Sequence, residues 1–343
     1  MSPRVPRPPR PGRRARWVAT KAAYGGGGFG TAAAATVALV RLEARLARHV
    51  IGTPFEQAPR AAGSYGRGRR GEKPVHLVVL GDSAAAGLGC ERPEETPGAL
   101  FAGGIARDLR RRVDLDVVAV SGAKSADLDV QVSRALRRPV DVAVIIVGAN
   151  DVTHRVPVAS ACRDLGRAVA RLRDARAVVV VGTCPDLGTV KPLLQPLRTA
   201  ARVLSRRLAR SQTVCVVENG GVAVSLGDLL GEMFSSEPHL WSADRFHPSA
   251  DGYRRIVDAM LPSMLEPLGV DHPVSVPLGE SVQDVTVAAG VASREAGLAV
   301  ETVEGGEGAA GHGRLARLTR RLPLVGRGAP EARTDEPVDD EPA

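Results

Sequence analysis

Short runs of β-branched and aliphatic residues, separated by segments of helix length, constrain this chain more than any other feature. The runs fall at 76–80, 115–121, 140–147, 177–183 and 214–217, and most are near-continuous Val, Ile and Leu. Strands covered on both faces of a parallel sheet read this way, whereas a strand with one wet face alternates apolar and polar residues. The segments 97–111, 125–138, 159–173 and 193–210, and a last one at 250–265, carry helical spacing. Strand and helix in strict alternation predict a doubly wound α/β sheet with right-handed crossovers and a site beyond the carboxyl ends of the strands. Polar residues just after each run are therefore where chemistry is expected.

The 343 residues are 44% hydrophobic, enough for a sizeable core, but the two ends do not share that character. Residues 1–16 are mostly Arg and Pro, 60–73 are rich in Gly and Arg, and the chain from about 272 onward is rich in Gly, Glu, Ala and Val without sustained periodicity. The expected organisation is a basic N-terminal segment and linker (1–73), a folded domain (74–268) and a C-terminal extension without regular structure (269–343). Within that extension, "RLARLTRRLPLVGRG" (314–328) reads as a solvated arm in preference to a membrane-surface stretch.

Residues 22–40, "AAYGGGGFGTAAAATVALV", are uncharged and as a helix would be about 28 Å long, near the thickness of a bilayer core. The four glycines 25–28 oppose a helix by roughly 1 kcal/mol each relative to Ala. A signal-anchor that leaves the domain outside the cytoplasm, a weak signal peptide, and a Gly/Ala-rich lead-in to a cytoplasmic domain all stay open, and membrane association with them.

The formal charge of +8 does not signal a nucleic-acid partner. Only four of the 46 basic residues are Lys (Lys21, Lys73, Lys124, Lys191), the Arg residues are scattered, and aromatics at 3% offer no stacking platform. Cys90, Cys162, Cys184 and Cys215 form no C-x-x-C, which excludes zinc-ribbon and redox-motif readings. Cys184 and Cys215 lie at or within apolar runs, as buried thiols do; the disulfide state depends on the compartment.

The strand ends carry "GDSAAAG" (81–87), "SGAKSADL" (121–128) and "GANDVTH" (148–154), and "WSADRFHPSADGY" (241–253) precedes the last helix. Acyl transfer at neutral pH needs a nucleophilic hydroxyl, a base, a carboxylate that orients the base, and donors aimed at the oxyanion. Ser83, His247, Asp244, Gly122 and Asn150 can supply those parts in turn. Each also has an ordinary structural role: Asp82 and Ser83 as a helix cap, Gly122 as a turn, Asn150 as a cap, His247 before Pro248 as a turn residue. A metal site from His239, Asp244 and His247 fits no common ligand spacing. No Gly-rich nucleotide loop follows a strand.

Taken together and in this chain order, the blocks G81-D82-S83, S121-G122-A123, G148-A149-N150-D151 and D244-R245-F246-H247 resemble those of the SGNH hydrolase superfamily, the GDSL-type esterases and lipases. The resemblance spans about residues 74–266. It implies a three-layer α/β/α sandwich of flavodoxin type with a five-stranded parallel sheet. It also implies a catalytic triad of Ser83, Asp244 and His247, an oxyanion hole from Ser83, Gly122 and Asn150, no metal or cofactor, and a small-molecule or lipid ester as substrate. Acyl transfer to, or deacetylation of, cell-envelope sugars or lipids would use the same residues, and a catalytically silent membrane-tethered binding module could keep the same shell. The presence of all four family residues favours the enzyme. Ala84 stands where members often carry Leu, Ile or Thr, a difference that bears on the acyl pocket. In "TCPDLGTVKPLLQP" (183–196), Asp186 is expected to shape the site without reacting. His154 is expected to be a polar residue at a helix start, and Asp82 and Asp151 to satisfy backbone groups.

Overall fold

The computed structural model describes residues 57–69, 71–190, 192–227, 234, 236–270, 276–277, 283–294, 297–307 and 314–320. In chain order its elements are β1 (Gly63–Tyr65), β2 (Val75–Gly81), α1 (Ser83–Ala86), α2 (Pro97–Leu109), β3 (Val113–Val117), α3 (Leu128–Ala135), β4 (Val142–Ile146), α4 (Ala149–Thr153), α5 (Val158–Asp174), β5 (Val178–Gly182), α6 (Leu197–Glu218) and β6 (Val222–Val224). There follow α7 (Ala250–Leu265), β7 (Val276–Pro277), β8 (Gln283–Asp284), α8 (Val285–Ala292), β9 (Leu298–Glu307) and β10 (Arg314–Arg320).

Five strands pair in parallel in the spatial order β3-β2-β4-β5-β6. Counted among themselves they run 2-1-3-4-5, the flavodoxin order, so the direction of winding reverses between β2 and β4. Alternate side chains of these strands feed two separate cores. Leu77, Val79, Val144 and Val180 pack under α2 and α7 with Phe101, Ile105, Tyr253 and Met260. Val78, Leu80, Ile145 and Val181 pack under α3, α5 and α6 with Leu128, Val132, Leu165 and Val216. A strand wet on neither face carries apolar residues at every position, which is why these runs are continuous.

Three sequence expectations need correction. The run 214–217 is the last part of α6, and the fifth parallel strand is Val222–Val224. Val216 and Val217 continue a buried stripe through Ala201, Ser205, Leu208, Ala209, Gln212 and Thr213, spaced at three and four residues; four apolar residues alone cannot distinguish that stripe from a strand. The run 115–121 is strand only to Val117, although Val118 and Val120 still donate to the Val79 and Gly81 carbonyls.

The third correction concerns the ends of the folded region. Part of the extension expected to lack structure joins the sheet: β9 pairs antiparallel with β6, β10 with β9, and β7 and β8 with β10. Residues 314–320 of the supposed solvated arm form β10; its remainder, 321–328, lies outside the described residues. Leu298, Val300, Ala316 and Leu318 are buried with Val285, Ala288 and Ala292 of α8 above them. β9 and β10 are short of apolar residues because each buries only two against a helix that is mostly Ala and Val. At the opposite edge β1, within the expected linker, pairs antiparallel with β3. Both open edges of the parallel set are thereby covered, which removes a template for intermolecular pairing. The candidate anchor, 22–40, lies outside the described residues; among those described, no helix is long and apolar enough to cross a membrane.

Candidate active site

Strand β2 delivers Ser83. At Gly81 a Cβ would stand 1.9 Å from the Ile146 carbonyl oxygen of β4, so only glycine lets the two strands stay this close at their ends. Gln131, buried on α3, accepts from the Gly81 N–H (2.7 Å) and donates to its carbonyl (2.9 Å), fixing the backbone just before the turn. The Asp82 carboxylate accepts from the Ala84 N–H at 2.9 Å and caps α1, of which Ser83 is the first residue. The capping role and the display of Ser83 thus coexist in one turn.

The segment before α7 delivers His247. Trp241 and Pro248 form an isolated antiparallel bridge, Ser242 N–H donates to the His247 carbonyl (2.9 Å), and Ser249 caps α7. Inside this closed turn one oxygen of Asp244 accepts from Ser242 Oγ (2.7 Å), Phe246 N–H (2.8 Å) and His247 N–H (2.8 Å). Its other oxygen lies 2.6 Å from His247 Nδ1, and His247 Nε2 lies 2.9 Å from Ser83 Oγ. Burial works against the Asp244 charge, but the His247 side chain and the His247 and Phe246 backbone donors outweigh it and hold the carboxyl at about 2. The group that faces the imidazole is therefore held as a carboxylate. Arg245, at φ 55, takes the left-handed conformation that lets the turn close.

The loops after β3 and β4 come together beside Ser83. Asn150 Nδ2 donates to the Ala123 carbonyl at 3.0 Å, and Asp151 accepts from Ser125 N–H (3.1 Å) and Oγ (3.0 Å), so three bonds tie the Gly122 loop to α4. Gly122 sits at φ 83, in the left-handed region. A second buried glutamine, Gln212 on α6, joins the ends of β4 and β5 by accepting from Cys184 N–H (2.7 Å) and donating to the Val147 carbonyl (3.0 Å). Burial raises Asp151, and raises Asp82 to about 6 against the pull of its backbone donors and of His247.

The turn at Ser83, the ends of β4 and β5 with the loop after β5, and the segment before α7 enclose a cavity of about 670 Å³ including its open mouth. Ser83, His247 and Asn150 line it; Val147, Leu187, Val190, Leu226, Trp241 and Ile256 make much of its wall apolar. Asp244 lies behind His247. Gly122 is outside the cavity lining and is connected to it through Ala123 and Asn150. Asp186 also lines the cavity, but its oxygens accept from Gly188 N–H (2.8 Å) and Arg206 Nε (2.8 Å), with Arg202 Nε at 3.5 Å, and it shapes the wall. His154 stays exposed, its Nδ1 2.9 Å from the Asn150 carbonyl, and His239 faces Glu237 at 3.7 Å. Sequence reasoning missed Gln131, Gln212 and Ser242. The available signal was a glutamine amid the buried stripe of a helix, as in "LDVQVSRA", where the side chain must find backbone partners.

A flavodoxin-ordered sheet that carries a serine hydroxyl, an imidazole and a buried carboxylate in one hydrogen-bonded line at its switch point defines an acylhydrolase. The chain belongs to the GDSL-like lipase/acylhydrolase family, whose model matches residues 79–255, and it is a carboxylic ester hydrolase. It is 42% identical over 250 residues to the GDSL-like esterase Rv1075c of Mycobacterium tuberculosis strain H37Rv, across 70% of this chain and 79% of that protein. Among solved structures it is similar to TesA (20% identity, TM-score 0.45, 56% of this chain and 99% of that one). It is similar also to the psychrotrophic esterase EstA from Pseudoalteromonas sp. (16% identity, TM-score 0.40, 56% and 96%).

Proposed function

We propose that the protein hydrolyses carboxylic esters through an acyl-enzyme on Ser83. The observation that carries this reading is the unbroken line from Ser83 Oγ to His247 Nε2 (2.9 Å) and from His247 Nδ1 to Asp244 (2.6 Å). The Asp244 carboxylate keeps the proton on Nδ1, which leaves Nε2 free to accept the hydroxyl proton as Oγ attacks the ester carbonyl. The imidazolium then protonates the departing alcohol oxygen. Water takes the alcohol's place and attacks the acyl carbon as it gives a proton to Nε2; the acyl–Oγ bond then breaks, the acid leaves and the proton passes from Nε2 back to Ser83 Oγ.

The oxyanion needs donors not already spent. Among the described residues no protein acceptor takes the Ser83 or Gly122 amide proton, and Asn150 uses one of its two Nδ2 protons on Ala123. Those three groups supply the oxyanion hole; losing one such donor typically costs ~10²–10³ in rate. The apolar wall suits an acyl chain, and the small side chains of Ala84 and Ala149 leave room beside Ser83. A catalytically silent module would have no use for a base aligned on Ser83 by a carboxylate held at about 2. A panel of p-nitrophenyl esters of increasing acyl length tests the reading. Burst release of one p-nitrophenol per protein followed by steady turnover is expected, with kcat/KM rising from acetate to a medium chain. Turnover without a burst at any chain length, with Ser83 unmodified, would contradict the acyl-enzyme.

A further inference from the structure

The cavity beside Ser83 follows the sheet. Four neighbouring strand ends line it in spatial order: Ser83 after β2, Ile146 at the end of β4, Leu187 and Val190 after β5, and Leu226 after β6. Ile146, Leu187, Val190 and Leu226 belong to the core on the α2 and α7 face, where Ile256 of α7 packs with them. Three inter-strand spacings separate β2 from β6, roughly 14 Å. The two extremes differ in character. Ser83 and Asn150 at one are half-buried, whereas Leu226 and Ile256 at the other are each 1% exposed. The cavity therefore opens at the nucleophile and closes at Leu226.

Its sides are pinned by hydrogen bonds. Asp186 N–H donates to the Gly227 carbonyl (3.2 Å) and Leu187 N–H to Ser205 Oγ (3.2 Å). Trp241 Nε1 donates to the Phe234 carbonyl (2.8 Å), and its ring meets the Phe234 ring edge-on. The closed end is held by packing alone, because the Leu226 side chain has no polar atom. That side chain lies over Gly182, the last residue of β5: a Cβ at 182 would stand 2.7 Å from Leu226 Cδ1 and 3.1 Å from Met260 Sδ. Gly182 does not take the left-handed conformation, so its backbone would accept alanine, and what the missing Cβ provides is room for Leu226. Met260 is fully buried, whereas Leu226 borders the cavity. A methyl group at 182 would push the leucine tip into the cavity.

We propose that Leu226, seated over Gly182, determines how long an acyl chain the site accepts, with that chain lying across the ends of β4 and β5. This rests on the acyl-enzyme reading above and adds to it which half of the ester enters the cavity. The alcohol must depart before water reaches the acyl carbon, and a group held at a closed end behind the ester could not leave. The acyl chain stays until the acid is released, so the closed end suits it. Leu226 and Gly182 are specificity-determining residues and take no part in proton transfer.

The test measures kcat/KM for two series on the full-length protein: p-nitrophenyl esters from acetate to palmitate, and butyrate esters of alcohols of increasing length. In the wild type, kcat/KM should rise by about fourfold per acyl methylene, the transfer value of a buried CH₂, up to a limiting length and then fall. Leu226→Ala should move that limit about two carbons longer, and Gly182→Ala about one carbon shorter. The double variant should return toward the wild-type limit, because the methyl at 182 fills space the leucine has left. The alcohol series should keep its profile in all of them. Leu226→Val, which removes one carbon, carries the same test if the alanine variant does not fold, with a limit about one carbon longer. An acyl limit that stays put in folded variants that still show the p-nitrophenol burst would overturn the proposal and leave the acyl-enzyme standing. A limit that moves in the alcohol series instead would also overturn it. A wild type without a burst would remove the acyl-enzyme reading and the proposal together.

Discussion

The carboxyl ends of β2, β3 and β4 and the antiparallel edge made by β6, β9 and β10 belong to one sheet, yet they use their residues in opposite ways. At the strand ends, buried polar side chains are fully engaged: Gln131 on Gly81, Gln212 on Cys184 and Val147, Asp151 on Ser125, Asp244 on three donors. At the edge, Leu298, Ala299, Val300, Ala316 and Leu318 are buried, with Thr319 as the one buried polar residue among the described side chains of β9 and β10, and none of the described residues between 283 and 320 lines the cavity. Polar groups are held inside the first region because they fix backbone where strands diverge and a ligand must enter. The second region has no such demand and covers the open side of β6. Chemistry and edge protection are therefore separable in this molecule, and substitutions should show it.

The sharpest separation is expected from Ser83→Ala. It should lower ester turnover by at least ~10⁴ while leaving the unfolding free energy within about 0.5 kcal/mol, read by kinetics and urea denaturation together. Asp244→Asn should lower kcat by roughly 10³–10⁴, since an amide cannot fix the imidazole tautomer. It should also change the acid limb of stability. A carboxyl held at about 2 when folded and about 3.9 when unfolded contributes about 2 kcal/mol above that window, lost as pH falls through it. The wild type should therefore be more stable than Asp244→Asn at pH 6, with the gap closing between about pH 4 and pH 2 in denaturant titrations. Asn150→Ala should reduce kcat by about 10²–10³ with a smaller change in KM, as loss of an oxyanion donor does. At the other region, Leu318→Ala should cost about 2–3 kcal/mol of stability and leave kcat/KM unchanged. A fall in kcat/KM with the fold intact would show that the edge takes part in the site.

The same contrast explains what could be read from the sequence. Residues 76–80, 140–147 and 177–183 are legible because a strand buried on both faces leaves an unbroken apolar signature, and motif residues then fall beyond their ends. Asp244 and His247 are legible as a pair because a D-x-x-H turn needs only local geometry to place Nδ1 on its carboxylate, whereas Ser83 meets His247 across 164 residues of chain. The run 214–217 misled because helix α6 buries a stripe wide enough to look like a strand over four residues. Residues 298–320 were invisible because an edge strand that buries Ala, Val or a single Leu has almost no periodic signal, and its neighbours are Gly and Glu. Gln131 and Gln212 escaped for another reason: their partners are backbone atoms 50 and 28 residues away.

The central claim is that Ser83 is the nucleophile, and it is tested most directly by labelling the full-length protein with a fluorophosphonate and mapping the modified peptide. One phosphonyl group on Ser83, with ester turnover lost in proportion to label, is the predicted result. A label on another residue, or full turnover by protein whose Ser83 is quantitatively phosphonylated, would contradict it.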